Sequence, residues 1–156
     1  LEAKFYYKNA KAPVPNKPTS IGVVALIRSG DSVLLEKRMD SDRWAIIGGA
    51  IHLDESLVEG LIREVKEETG LKVQSVNLFG TFSDPSRIIA FPDGNVKRII
   101  TIAYEVEVEA YTELVCSEES RELRFIPREQ LDKINIAETH IPIIQAYLEN
   151  MSITLE

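Results

Sequence analysis

Apolar runs and period-two alternation divide most of the chain into short extended segments, and one stretch switches to a helical period. Strands are predicted at 20–28 (SIGVVALIR), 33–38, 44–47, 73–82, 97–109 and 122–126, where apolar or alternating residues are bounded by turn-forming ones. The best alternation sets Ile100, Ile102, Tyr104, Val106 and Val108 against Thr101, Ala103, Glu105, Glu107 and Glu109, so one face should become wet toward its C-terminal end. Between the third and fourth strands, Leu57, Val58, Leu61, Ile62 and Val65 recur at helical intervals, which predicts a helix over 57–69 with these residues as its core face. Ser56 and Glu59 fit a capping box, and Gly70 followed by Leu71 fits a left-handed stop with a hydrophobic contact after it. A short helix is expected over 127–134 and a C-terminal amphipathic one over 141–150. No internal repeat or low-complexity tract is present.

The chemistry lies on the flank of the 57–69 helix. At about 100° per residue, Glu64, Glu67 and Glu68 fall within an arc of about 100° beside the apolar stripe. Like charges at these spacings cost a helix a few tenths of a kcal/mol per pair. Solvent or a cation must relieve them, and Mg2+ does so while leaving coordination positions to water and phosphate oxygens. Gly60 sits one turn before Glu64 on the same stripe despite a cost of about 1 kcal/mol relative to alanine, which reads as room for a ligand. Arg63 is four residues from both Glu59 and Glu67 and is expected to bridge them. Charge runs on helices are usually solvated faces; the Gly-Gly turn and the caps around this one argue for more.

The segment GAIHLDESLVEGLIREVKEETGL, residues 49–71, resembles the Nudix box of the Nudix hydrolases, with Gly49, Glu55, Arg63, Glu64, Val65, Glu67, Glu68, Thr69, Gly70 and Leu71 at its defining positions. The preceding VLLEKR (33–38) and WAIIGG (44–49) also look familial. The resemblance implies an α/β class fold, an α/β/α sandwich with a central mixed β-sheet, and Mg2+ or Mn2+ dependence. It also implies hydrolysis of a nucleoside diphosphate linked to a further group X. Carried over by position, Glu64, Glu67 and Glu68 would be metal ligands, the Gly49 carbonyl a further ligand, and Glu55 and Arg63 supports. Members often have proline where this chain has Ile47, glutamate where it has His52 and glycine where it has Asp54. None of these is a defining position, and they bear on substrate more than on chemistry. Family members often draw another ligand or a general base from an acid shortly before a later strand, which points to Glu119 in SEESRE (117–122), with Glu118 in reserve; Glu64 is the other candidate base.

Composition narrows the setting. At 156 residues the chain suits one core rather than two. A net charge of −7 argues against gripping a polynucleotide through basic patches but not against a small phosphorylated substrate. The single Cys116 excludes an internal disulfide framework and suits a reducing cytoplasm. No apolar run reaches membrane-spanning length, and a homodimer is open.

Residues 1–20, with Phe5, Tyr6 and Tyr7 and then a proline-rich basic stretch, read as an arm or linker that packs on something, ahead of a domain over 21–156. The connection at 83–96, SDPSRIIAFPDGNV, is long for a hairpin and is expected to form a lid or a wall of the substrate pocket. Arg87, Arg98 and Arg43 are then candidates for phosphate or ribose, and Phe91 and Tyr104 for stacking on a base. The alternative, of equal weight, is that Phe91 pins the loop and Tyr104 fills the core. The expected reaction is metal-assisted attack of water on phosphorus. ADP-ribose, nucleoside triphosphates, nucleotide sugars and dinucleoside polyphosphates are all open as substrates. Two other readings are a non-catalytic nucleotide or metabolite sensor and an isopentenyl diphosphate isomerase. The latter, as the resemblance implies, relies on a catalytic cysteine and a histidine-rich metal site; this chain has one cysteine far from the box and only His52 and His140.

Overall fold

The structure, a computed structural model, describes residues 2–109 and 113–153. Its elements are β1 (Lys4–Tyr6), β2 (Ser20–Ser29), β3 (Ser32–Arg38), β4 (Trp44–Ala50), α1 (Leu57–Thr69), β5 (Val73–Phe82), β6 (Ile88–Ala90), β7 (Val96–Val108), β8 (Ser120–Pro127) and α2 (Ile141–Ile153). The sheet runs β1-β6-β7-β2-β4-β3-β8, with β5 also on β7 and β3 also touching β2. β2 and β7 are parallel, and the other strand pairs are antiparallel, so the sheet is mixed.

β2 shows why two helical layers are needed. Val23, Ala25 and Ile27 enter a core with Leu61 and Val65 of α1, whereas Val24 and Leu26 enter another with Ile143, Ile144 and Tyr147 of α2. A strand apolar on both faces must be covered on both, and the result is an α/β/α sandwich. On β7, Tyr104 and Val106 lie under α1, while Glu107 and Glu109 are exposed, which matches the alternation in the sequence.

Several expectations require correction. Val58 and Ile62 are exposed, not core: the apolar arc of α1 is wider than the sheet beneath it, and Leu61, Val65 and Thr69 take the buried positions. Only Arg128–Gln130 of the stretch 127–134 is helical, as a single 3-10 turn followed by buried Leu131. The 83–96 connection contains β6, which pairs with both β1 and β7 and leaves a tip closed by the Phe91 N–H donating to Asn95 O at 2.8 Å. The arm reaches that edge through β1, where Ala3 and Phe5 pack with Ala45, Ala137 and Ile89. Strands of three residues carry too little periodicity to be seen in a sequence.

Candidate active site

The site is assembled where the end of β4 meets α1. The capping box forms: Glu59 N–H donates to Ser56 Oγ at 3.1 Å, and Ser56 N–H donates to Glu59 Oε1 at 2.9 Å. At the other end Gly70, at φ +72°, donates its N–H to Lys66 O, a backbone state that favours glycine. The helix is therefore fixed in register at both ends.

Because Glu59 is used in the cap, Arg63 does not bridge it as expected. Its guanidinium reaches Glu55 at 2.7 and 3.0 Å, Glu64 at 2.9 Å, Glu67 at 3.1 Å and the Ala50 carbonyl at 3.2 Å. That contact, helped by the His52 N–H, holds the Glu55 carboxyl down to about 2. The space beside Gly60 is not open either, since an added Cβ would lie 2.9 Å from Ile51 Cγ2 and 3.0 Å from Glu55 Oε1. Gly60 thus makes room for the chain's own loop.

Two glycines bring β4 against the acids. At Gly48 a Cβ would stand 2.0 Å from the Val23 carbonyl oxygen, so no side chain fits, and its N–H donates to Glu68 Oε2 at 3.1 Å. At Gly49 a Cβ would lie 2.7 Å from Glu64 Oε1. Glu68 is only 6% exposed. Burial first, and then the negative charges of Glu36 and Glu64, push its carboxyl up to about 10.

Glu36 was missed as a functional residue in the sequence. It is 7% exposed and accepts a hydrogen bond from Ser120 Oγ at 2.7 Å. Burial raises its pKa, the Ser120 bond and Arg38 lower it, and Glu64 and Glu119 raise it further. The signal was available: Glu36 lies two residues beyond Leu34, which faces the α1 core, so a carboxylate follows on a buried face.

These acids line a cleft of about 530 Å3. Glu36, Glu64, Glu68 and Glu119 supply its carboxylates, Ile46, Ile89, Phe91 and Ile99 its apolar lining, and Arg38, Thr101 and His140 further polar groups. Arg38 is held by Asp40 through two bonds of 2.6 and 2.7 Å and lies 4.9 Å over the Phe5 ring. His140 Nδ1 accepts the Ile46 N–H at 3.0 Å, and burial lowers its pKa to about 3, so it is neutral. Among the described residues no three His, Cys, Asp or Glu side chains form a ready metal cage. The all-oxygen donors open to the cleft instead suit an ion that completes its shell with water and substrate.

The structure therefore brings Gly49, Glu64, Glu68, Glu119 and Phe91 to one cleft. Glu67 sits outside it, its side chain 59% exposed and paired with Arg63. Arg87 is withdrawn as a substrate contact: it is wholly buried, and its donors are occupied by the Phe82, Ile99 and Thr139 carbonyls and Thr101 Oγ1. Arg43 lies off the cleft, engaged by Asp42 and Glu138. Arg98, which donates to the Ser83 carbonyl, and core Tyr104 also lie off it. Glu118 and His52 are exposed and do not line it.

Comparison with known proteins agrees with this geometry. The NUDIX domain family model matches residues 16–147. An ADP-ribose pyrophosphatase of Methanocaldococcus jannaschii is 31% identical over 132 residues, covering 83% of this chain and 73% of that protein. The nucleoside triphosphatase NudI of Enterobacter sp. is 30% identical over 125 residues, covering 74% and 87% respectively. Among solved structures, a bifunctional NMN adenylyltransferase/ADP ribose pyrophosphatase of Francisella tularensis, complexed with AMP and Mn ion, superposes with a TM-score of 0.66 at 23% identity. That match covers 88% of this chain and 43% of the bifunctional protein. With the family model spanning most of its length and the box folded into a cleft, this chain belongs to the Nudix family and is a Nudix hydrolase.

Proposed function

We propose that this hydrolase cleaves the pyrophosphate bond of a nucleoside diphosphate linked to a further group, using Mg2+ or Mn2+, and that ADP-ribose is the first substrate to test. The observation that carries the reading is the mixed lining of the cleft, which combines four glutamates with the apolar side chains of Ile89, Phe91 and Ile99. A molecule with a charged diphosphate and a flat base matches that mixture, and the likeness to an ADP-ribose pyrophosphatase favours a ribose-linked X.

Glu64, Glu68 and the Gly49 carbonyl would hold the ion, with Glu67 turning inward from its surface position to join them. When bound, a divalent ion lowers the pKa of a coordinated water and neutralises phosphate oxygens. Arg63, anchored on Glu55, holds Glu64 in place. Glu119, exposed at the cleft, accepts the proton of the attacking water, with Glu64 as the other candidate base. Phe91 stacks on the base.

The test is a panel of ADP-ribose, nucleoside triphosphates, nucleotide sugars and dinucleoside polyphosphates with each metal, in heavy-oxygen water, with products identified by mass. Label on a phosphate product of one dominant substrate supports the reading. Label only on the sugar contradicts attack at phosphorus, and no turnover with demonstrated binding favours a sensor.

A further inference from the structure

We propose that Glu36 is a further metal-ligating carboxylate of this cleft, held in position by the Ser120 hydroxyl; the inference rests on the metal-dependent reading given above. The box helix supplies acids from one side. Glu36 comes from the opposite side, on the central run of β3, where it pairs with Ala45 of β4 and Leu123 of β8. Its face of the strand is that of Leu34, which packs under α1. The carboxylate thus stands beneath the helix and lines the same cleft as Glu64, Glu68 and Glu119.

Two observations point to a ligand. First, Glu36 is more than nine-tenths buried, yet among the described residues the one hydrogen bond it receives comes from Ser120 Oγ to Oε2. A carboxylate has about four acceptor sites, and no Glu36 oxygen is among the buried unpartnered atoms of the described residues, while the residue lines the cleft. Ser120 fixes one oxygen and leaves Oε1 to the cleft. Second, the neighbouring cations are already committed. Arg38 is held by both oxygens of Asp40, and Arg63 by Glu55, Glu64 and Glu67. Arg38 lowers the Glu36 pKa from a distance, but among the described residues neither Glu36 nor Glu68 makes an ion pair with it. A divalent ion in the cleft supplies a cation in direct contact.

Ser120 is the positioning residue. It opens β8, one residue after Glu119, and is itself buried. Its bond to Glu36 ties the segment bearing Glu119 to the cleft floor, so the two acids are set by one contact.

The test measures Mn2+ binding by titration calorimetry without substrate for wild type, Glu36→Gln, Ser120→Ala and Glu64→Gln, with melts in chelator to verify folding. The glutamine oxygen still accepts from Ser120. Glu36→Asp, which keeps the charge but draws the carboxylate back, is added to separate a ligand from a charge acting through space. A merely electrostatic Glu36 leaves Mn2+ affinity unchanged in Glu36→Asp, whereas a ligand loses it there too. As a ligand, its neutralisation weakens Mn2+ binding at least about tenfold while the metal-free melt stays at or above that of wild type. Ser120→Ala, which keeps the carboxylate but frees it, weakens binding less. Wild-type Mn2+ affinity in both Glu36→Gln and Ser120→Ala, beside a weakened Glu64→Gln, overturns the role of Glu36 and leaves the hydrolase reading intact. Failure of the wild type to bind Mn2+, together with no metal-dependent turnover on the substrate panel, overturns both.

Discussion

Two buried ionisable sites in this protein are built on opposite plans. Arg87 is fully buried, but four hydrogen bonds of 2.8 to 3.1 Å tie its guanidinium to the Phe82, Ile99 and Thr139 carbonyls and Thr101 Oγ1. Burial lowers its pKa to about 10, so it stays charged at neutral pH. Glu36 and Glu68 are nearly as buried, yet among the described residues Glu36 receives a hydrogen bond from Ser120 and Glu68 one from the Gly48 N–H, with the Glu64 carboxyl beside Glu68 and the charge of Glu36 opposing its ionisation. A buried charge whose partners are all protein groups closes the fold. One left short of partners beside a cleft is a site waiting for a ligand.

The sharpest break of this comparison is in turnover. Glu68→Gln is expected to lower kcat by about three orders of magnitude on the best substrate, roughly 4 kcal/mol of barrier, while leaving the chelator-treated protein as stable as wild type or more so. Steady-state rates and melts in chelator measure the two quantities separately. A variant with nearly normal rate would put Glu68 outside the chemistry.

Arg87 should behave in the reverse way. Arg87→Met takes a donor from the buried Thr139 carbonyl and the part-buried Phe82 and Ile99 carbonyls and is expected to cost about 3 kcal/mol of stability, with little loss of kcat in the fraction that remains folded. Denaturant unfolding alongside rates at low temperature tests this. Native stability coupled to a large rise in KM would restore Arg87 as a substrate contact.

That contrast also marks how far the sequence could be read. The helix, its two caps and the carboxylate row were legible because a 3.6-residue period and local capping chemistry need no knowledge of the rest of the chain. β2, β5 and β7 were legible for the same reason. What eluded the sequence depends on contacts made at long range. Arg87 looks like any basic loop residue until Thr139, 52 residues later, is folded against it. Glu36 gains its partner from Ser120, 84 residues away, and Arg63 changes partner because a loop brings Glu55 to it. β1 and β6 are three-residue strands formed by pairing at the sheet edge, β1 on β6 and β6 on β7.

A smaller effect follows from pH. A carboxyl raised from 4.5 to about 10 in the folded state keeps its proton where the unfolded chain has lost it. The stability of the metal-free protein therefore falls as pH rises through that window. His140 acts in the other sense: its folded pKa of about 3 against 6.5 means stability is lost as pH falls below 6.5. The two slopes oppose each other between about 4.5 and 6.5, and the decline should steepen above 6.5. Melts in chelator across pH 5 to 9 check the shape. Saturating Mn2+ should flatten the alkaline limb, because metal binding requires the deprotonated acid and releases its proton. An alkaline limb that is flat without metal would mean that Glu68 is not held protonated.

The smallest effect on stability is expected at Glu67, and it sharpens the comparison because Glu67 adjoins Glu68 in sequence but not in environment. Its side chain is 59% exposed and meets only one arm of Arg63, at 3.1 Å, a surface pair worth about 0 to 1 kcal/mol. Neutralising it also relieves a few tenths of a kcal/mol of repulsion from Glu64, so Glu67→Gln should leave the chelator-treated melt within about a degree or two of wild type. The metal-induced rise in Tm is the discriminating quantity. Ligand binding to the native state stabilises by mass action, so a shrunken rise in the variant, together with reduced turnover, means that Glu67 swings from the surface to the ion when the site fills. An undiminished rise with full turnover would assign the ion to Glu64 and Glu68 and leave Glu67 as the outer anchor of Arg63.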